Sequence, residues 1–416
     1  MANALPSRQQ AAPSTRPSLA ILLDLGFRPL YVAGCAWALI SIALWVFAPQ
    51  YLGQPLSGVT WHAHEMLWGF VATIAVAFLL TASATWTGHN PIKGRALGWL
   101  CLLWLIARLG YLFGGSPGFW LAGAAESAFF AISAAALLRV MVKGKSRRNY
   151  GVPWLVLGLG AANVLYLLAV LQNDYARLMQ RYDLGILCMA VIALLIARRV
   201  IPFFAMRMVA ELTLPMQLRT GHVQMVASTL AIVLGLFGLT QPMAILLALV
   251  GIISLVQTRS WKPMAVLHKP MLWILYLGYT GLGVGLLFAA WHYSGFATGV
   301  LARSATHIHI IAMGGFSILI IGMVTRTALG HTGRPLVADA NIVSSYYLMV
   351  AAVVFRLAAL WPSGASQTLL HAAAAAWILC MALYLWRFAP MLVRPRYSPP
   401  EAPAAKARPA NTTAGQ

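Results

Sequence analysis

The chain has 416 residues, 61% of them hydrophobic and only 9% charged, and its mean hydropathy is +0.78. Soluble domains carry about 25% charged residues, so this composition excludes a soluble globular protein and indicates an integral membrane protein. A formal net charge of +21 would suggest a nucleic-acid partner in a soluble chain. Here the positive residues cluster in loops beside apolar segments, so we expect contact with membrane lipid and no nucleic acid.

Apolar segments follow one another along the chain, and each is long enough for a helix to cross roughly 30 Å of hydrocarbon. Strand-like alternation is absent, and lipid admits only helices or closed barrels, so we predict an all-α polytopic membrane protein. The twelve predicted transmembrane helices lie near residues 29–49, 62–86, 96–114, 119–141, 152–171, 180–201, 221–240, 242–258, 270–291, 303–325, 340–361 and 366–389. They form one domain over residues 21–391, and the termini at 1–20 and 392–416 are predicted to be disordered.

Lysine and arginine are concentrated in every second loop. The loop at 143–148 holds four of them, whereas the loops near 50–60, 115–118 and 362–365 hold none. By the positive-inside rule, this alternation predicts that both termini lie in the cytoplasm.

Two His-x-His pairs lie near the start of apolar segments: His62 and His64 open the second span, and His307 and His309 lie in the tenth. In the predicted topology all four are near the periplasmic surface. Imidazole is costly in lipid without a partner, so an intramembrane histidine is a functional-site hypothesis. Neutral imidazole binds copper, iron and zinc, and histidine often holds haem (heme) iron. The four side chains therefore predict a metal site.

Helix geometry limits how one pair can act. Residues two apart on a regular helix face about 200° apart, so His307 and His309 would serve two neighbouring centres rather than one ion. His62 and His64 are closer to a helix end, where an extended first turn could let them converge. The alternative is that these histidines only hydrogen-bond backbone carbonyls or lipid headgroups.

Charged residues that we single out within the predicted spans are Glu65, Arg108, Glu126, Asp183 and Arg356. The three carboxylates are candidates for a proton path. Glu65 is also a candidate for orienting a histidine ligand. The two arginines either bind haem propionates or pair with the carboxylates.

The two His-x-His spans end in similar stretches, Thr85–His89 and Thr325–His331. An Arg-Pro-Leu sequence also precedes both the first and the eleventh span. These features are a weak indication of internal duplication, because their offset does not match a six-plus-six repeat.

Several motifs resemble the NnrS family of membrane proteins. The matching stretches are residues 26–29, 61–66, 86–88, 199–203, 323–326 and 329–336. The resemblance implies haem and copper as cofactors and a role in the nitric oxide response, in protection against nitrosative stress and in denitrification. It also implies a location in the bacterial inner membrane. Among the histidines, His62, His64 and His307 match histidine positions of the family.

The segment that follows the tenth span has its own motif. Gly330 and Gly333 bracket His331, and Arg326 and Arg334 flank it. One interpretation is a loop that binds an anionic group such as a haem propionate, and the other is a positively charged cytoplasmic loop. His331 lies a membrane's depth from the other histidines, so we do not expect it to join their site.

Three functions are compatible with these features. The first is a haem- and copper-binding protein that captures nitric oxide. Redox chemistry would require electrons from a quinol or a separate redox protein, because no donor domain is expected. The second is a twelve-helix secondary transporter that uses buried histidine and glutamate as substrate or proton-relay groups. The third is a chaperone-like role in assembling another metalloenzyme.

Overall fold

The computed structural model describes residues 16–53 and 55–397. Within these ranges the chain is helical and contains no strand, which confirms the all-α prediction. A single helical turn, Leu19–Leu22, precedes the long helices. The long helices are Phe27–Phe47 (α1), Gly58–Thr87 (α2), Arg95–Phe113 (α3), Gly115–Lys143 (α4), Gly151–Leu171 (α5), Tyr175–Met208 (α6), Leu218–Leu236 (α7), Thr240–Ser260 (α8), Pro270–Tyr293 (α9), Ser304–His331 (α10), Ala340–Ala358 (α11) and Ser366–Leu392 (α12).

Eleven of these helices, all except α7, are long and apolar enough to cross a membrane. Helix α7 lies where the seventh span was predicted and packs between α6 and α8, but Arg219 and His222 make its first turns polar. Helix α6 runs past the predicted end at residue 201 because Pro202 is accommodated inside the helix. The predictions of terminal disorder concern mainly residues 1–15 and 398–416, which lie outside the described residues.

Helices α2 and α10 occupy the centre of the bundle. In the most apolar 18-residue stretch of each of these two helices, 78% of the residues are buried, whereas the corresponding share is 33% in α3 and in α11. The two central helices contact each other near their middles, and α12 packs against α1. The long helices therefore form a bundle around this central pair.

Both central helices contain an eight-residue π-helical segment directly after the His-x-His pair. The segments are Glu65–Ala72 in α2 and Ile310–Ser317 in α10. π-Helical turns are rare and frequently mark functional sites. In α10 the wide turns bring the Gly314 backbone against Gly281 of α9, where a Cβ atom on Gly281 would collide with the Gly314 carbonyl oxygen. The absence of a side chain at Gly281 lets α9 lie directly on the π segment.

A four-helix unit occurs twice in the chain. Helix α11 begins and ends 245 residues after the corresponding ends of helix α3. The same offset relates His62 to His307, His64 to His309, Gly69 to Gly314 and Gly88 to Gly333. The last two glycines have left-handed φ values of +70° and +74°. Helices α1–α4 and α9–α12 therefore correspond in order, with α5–α8 between them, which explains why a six-plus-six offset did not describe the similarity.

Candidate functional site

A cavity of about 500 Å³ lies between the ends of α1, α2, α5, α6, α10, α11 and α12. We call it the histidine cavity, and the side of the bundle on which it lies the histidine face. Its wall is largely apolar or aromatic and includes Trp45, Met66, Tyr182, Met313 and Trp377. The nitrogen-bearing side chains in the wall are His62, His309, Arg303, Arg356 and the two tryptophans.

His62 stacks on Trp45, with ring centroids 5.1 Å apart and planes 12° from parallel. Its Nδ1 atom is buried and has no hydrogen-bond partner. An unsatisfied buried polar atom costs about 1–3 kcal/mol, so this nitrogen is suited to accept a ligand. The stacked indole fixes the plane in which the imidazole lies.

His309 lies on the wall contributed by α10. Its Nδ1 donates a hydrogen bond of 2.6 Å to the carbonyl oxygen of Ala305. Because a carbonyl only accepts, the proton of the neutral ring is on Nδ1 and the lone pair is on Nε2. Metal-binding histidines usually have their second nitrogen fixed in this way. His309 therefore has the arrangement of a metal ligand.

His307 lies on another side of α10, in what we call the His307 cluster with Asp183, His292 and Tyr293. The ring centroids of His292 and His307 are 4.6 Å apart. The Nε2 atom of His307 is 3.6 Å from Oδ1 of Asp183, and Tyr293 donates its hydroxyl hydrogen to the other carboxylate oxygen. Neither ring nitrogen of His307 has a hydrogen-bond partner. The cluster thus contains two adjacent imidazoles with buried, unpartnered nitrogens.

His64 lies in a third environment, the ion cluster, which it forms with Glu65, Arg108, Glu126 and Asn163. Its Nδ1 is 2.9 Å from Glu65, and its Nε2 is 2.9 Å from the Asn163 oxygen and 3.1 Å from Glu126. Arg108 pairs with Glu65 at 2.5 Å and also with Glu126. The charged side chains of the cluster are at most 2% exposed.

The ion cluster is electrically balanced when His64 carries a proton on each nitrogen. Carboxylate oxygens face both ring nitrogens, so both nitrogens donate, as they do in imidazolium. Two carboxylates then meet two cations. His64 retains no free nitrogen for a metal, and Arg108 and Glu126 are engaged with each other.

The four histidines predicted as ligands therefore do not converge on one point. His62 and His309 share the histidine cavity, His307 lies in its own cluster, and His64 lies in the ion cluster. Over the described ranges no group of three or more histidine, cysteine, aspartate or glutamate side chains is arranged to hold a metal ion. The two imidazoles that share the apolar histidine cavity suit a haem, whose ring supplies most of the ligands to its iron.

Arg356 is the one predicted cofactor-binding residue that lines the histidine cavity. Arg326, His331 and Arg334 lie at the far end of α10, and 17 residues of helix place Arg326 about 25 Å from His309. Arg326 lies 3.7 Å from the centre of the Phe204 ring, and the His331 ring packs on Phe27. This separation agrees with the expectation that His331 would not join the outer histidines.

Three contacts were not deduced from the sequence. They are the contact of Trp45 with His62, that of His292 with His307, and that of Asn163 with His64. An asparagine in the middle of an apolar helix is a usable signal, since a buried amide needs partners. The stacking of Trp45 on His62 joins two helices, and no pattern within either helix indicates it.

Comparison with known proteins identifies a family for this chain. A family model described as NnrS protein matches residues 21–396, nearly the whole chain. A search of the curated proteins found no match.

Proposed function

Because the chain belongs to the NnrS family of nitric-oxide-response membrane proteins, we propose that it binds a haem in the histidine cavity and captures nitric oxide there. We further propose that it protects cells against nitrosative stress in denitrifying bacteria. In this proposal the membrane is the bacterial inner membrane, both termini are cytoplasmic, and the histidine face is periplasmic. The charge pattern of the loops supports that orientation.

One observation carries the proposal. Two imidazoles, each with a nitrogen not used by the protein, line the same apolar cavity. An apolar slot with an imidazole ligand is the arrangement by which proteins hold haem iron. Arg303 and Arg356 in the same wall supply guanidinium groups suited to carboxylates such as propionates.

We assign different roles to the two histidines. His309 would hold the haem iron through Nε2, because its hydrogen bond to Ala305 fixes the tautomer and the direction of that nitrogen. His62, held against Trp45, faces the same cavity and is placed to contact a bound diatomic molecule or to act as a second ligand. A ferrous haem would supply the affinity for nitric oxide, while these side chains orient and enclose the ligand.

Copper belongs to the His307 cluster in this proposal. His292 and His307 offer adjacent imidazoles with unpartnered nitrogens, and imidazole is a good copper ligand. Asp183 accepts the hydroxyl hydrogen of Tyr293 and lies beside His307, so it is the carboxylate placed to exchange a proton with this cluster. Glu65 and Glu126, which are committed to Arg108 and His64, act as structural groups.

Turnover of nitric oxide would draw electrons from a quinol or a redox-protein partner. The proposal is tested by purifying the protein in detergent, recording its absorption spectrum, and measuring haem by the pyridine assay and copper by elemental analysis. A Soret band with about one haem per chain is expected. A colourless, metal-free protein would contradict the proposal and favour a secondary transporter. Metal that is lost to a mild chelator would favour a role in metal delivery.

A further inference from the structure

A second, smaller pocket lies next to the histidine cavity in the bundle. It has a volume of about 80 Å³ and lies mainly between α2, α6 and α10. Val71 of α2 lines both spaces. On α6, Ile186 lines the histidine cavity and Met189 the pocket. On α10, Met313 lines the histidine cavity and Phe316 lines the pocket. The two spaces are therefore stacked along the same three helices, about one turn apart.

The lining of this pocket decides what can occupy it. Apart from the hydroxyl group of Tyr31, every side chain in its wall is apolar, with alanine at positions 75, 193 and 197. A buried water needs two to four polar partners, so such a space stays dry and suits small apolar molecules. Its volume excludes a haem, a quinone or a charged headgroup, and leaves room for a diatomic gas.

Part of the wall of this pocket also reaches the surface of the bundle. Four of its lining side chains are partly exposed: Phe78, Ile196, Val200 and Met323. They lie farther along α2, α6 and α10 from the histidine face than Val71 and Phe316 do. This part of the wall therefore lies farther from the histidine face, on helices α2, α6 and α10, which are apolar enough to cross a membrane.

We propose that this pocket is an entry and holding site through which a neutral diatomic gas passes from the bilayer to the histidine cavity. The inference deepens the proposed function, because the haem in that cavity would be the destination. Val71 lines both spaces, so the gas would pass beside it, near Met189 of α6 and Phe316 of α10. A gas that dissolves in lipid would reach the site by this path without crossing the polar membrane surface.

The pocket is tested first without any reference to haem. Crystals of the detergent-purified protein are exposed to xenon under pressure, and anomalous scattering locates the bound atoms. Xenon is expected beside Ala75 and Ala193. Absence of xenon there, or density for a lipid acyl chain filling the space, would overturn the inference even if haem is bound.

The path is tested by carbon monoxide rebinding after flash photolysis of the ferrous protein in lipid nanodiscs. Ala193→Phe fills the pocket, and Ala193→Leu is the milder variant if the larger one does not fold. We expect the association rate to fall about tenfold, within the range by which on-rates vary among related variants, with an unchanged Soret band. The control is Ala135→Phe on the exposed face of α4. Equal rates in all variants, even with xenon bound, would overturn the path. Failure of the protein to bind haem would contradict the proposed function, and the xenon experiment would still decide the pocket.

Discussion

His64 and His309 occupy equivalent positions in the two repeated units, and their contacts differ completely. Each is the second histidine of a His-x-His pair and directly precedes a π-helical segment. Both nitrogens of His64 are bound to side chains of the ion cluster, whereas His309 is held by one nitrogen and lies in the wall of a cavity. Duplication of one helix has thus yielded a structural histidine and a candidate ligand.

Replacement of His309 tests whether its imidazole holds the haem iron. His309→Ala removes the imidazole that we assign to iron, so we expect loss or a large shift of the Soret band while the protein remains expressed and folded. Added imidazole should restore part of the spectrum. His371→Ala, which removes a histidine that packs on Phe47 at the end of α1, is the matched control and should leave the spectrum unchanged. An unaltered spectrum in the His309 variant would exclude it as the ligand.

Replacement of His307 tests whether copper binds in the His307 cluster independently of haem in the histidine cavity. His307→Ala removes one of the two adjacent imidazoles, so we expect copper content to fall well below that of the native protein while the haem spectrum persists. His292→Ala should have the same effect, because each ring supplies one ligand. Elemental analysis and absorption spectra measure the two metals separately. If haem is lost in the His307 variant and retained in the His309 variant, our assignment is reversed.

Replacement of His64 tests whether it is structural. His64→Gln keeps hydrogen-bonding capacity toward Glu65 and Asn163 but removes a positive charge from the ion cluster. We expect lower thermal stability with haem and copper content per folded chain unchanged. Differential scanning fluorimetry and metal analysis on the same sample provide the check. A selective loss of metal without loss of stability would restore His64 to the ligand set.

The ion cluster should contribute strongly to stability. Arg108→Met leaves two buried carboxylates without their guanidinium partner, and breaking a buried pair in this way costs about 3–5 kcal/mol. Arg387→Met removes a half-exposed pair with Asp339 and should cost under about 1 kcal/mol. Denaturant unfolding in detergent compares the two variants. Similar small losses in both would show that the buried charges are not the main support of α2, α3 and α4.

Adding a single methyl group at Gly281, where α9 contacts α10, should destabilise the protein. Gly281→Ala places a Cβ atom against the Gly314 carbonyl, and overpacking of this kind costs about 1–3 kcal/mol. Because His309 lies next to this π segment, haem content should fall as well. Gly158→Ala on α5 meets open space and should be neutral or slightly stabilising. Equal stability of the two variants would contradict the tight contact.

The fold was largely predictable because the membrane imposes a simple rule. A long apolar segment must be helical, so hydropathy alone located the helices to within a few residues in most cases. The start of α2 at Gly58 and the end of α6 at Met208 were missed, since polar or proline-containing turns can continue a helix where protein rather than lipid surrounds it.

The site was predictable only in part. The helical repeat correctly required His307 and His309 to face different ways. The expectation that His62 and His64 could converge in an extended first turn was wrong, because the helix already begins at Gly58 and the two rings lie in separate environments. Which member of each pair lies on the cavity wall depends on neighbours from other helices, such as Asn163 beside His64. The π segments were also missed, because hydropathy does not report the number of residues in a turn.

The π-helical segments make the direction of the histidines depend on chain length. A deletion of one residue between Glu65 and Ala72 would favour an ordinary α-helical turn and rotate the preceding residues by about 100°. His62 would then turn away from Trp45 and Arg356, although all three side chains would still be present. In this part of the protein, the site depends on the number of residues in the helix as much as on which residues they are.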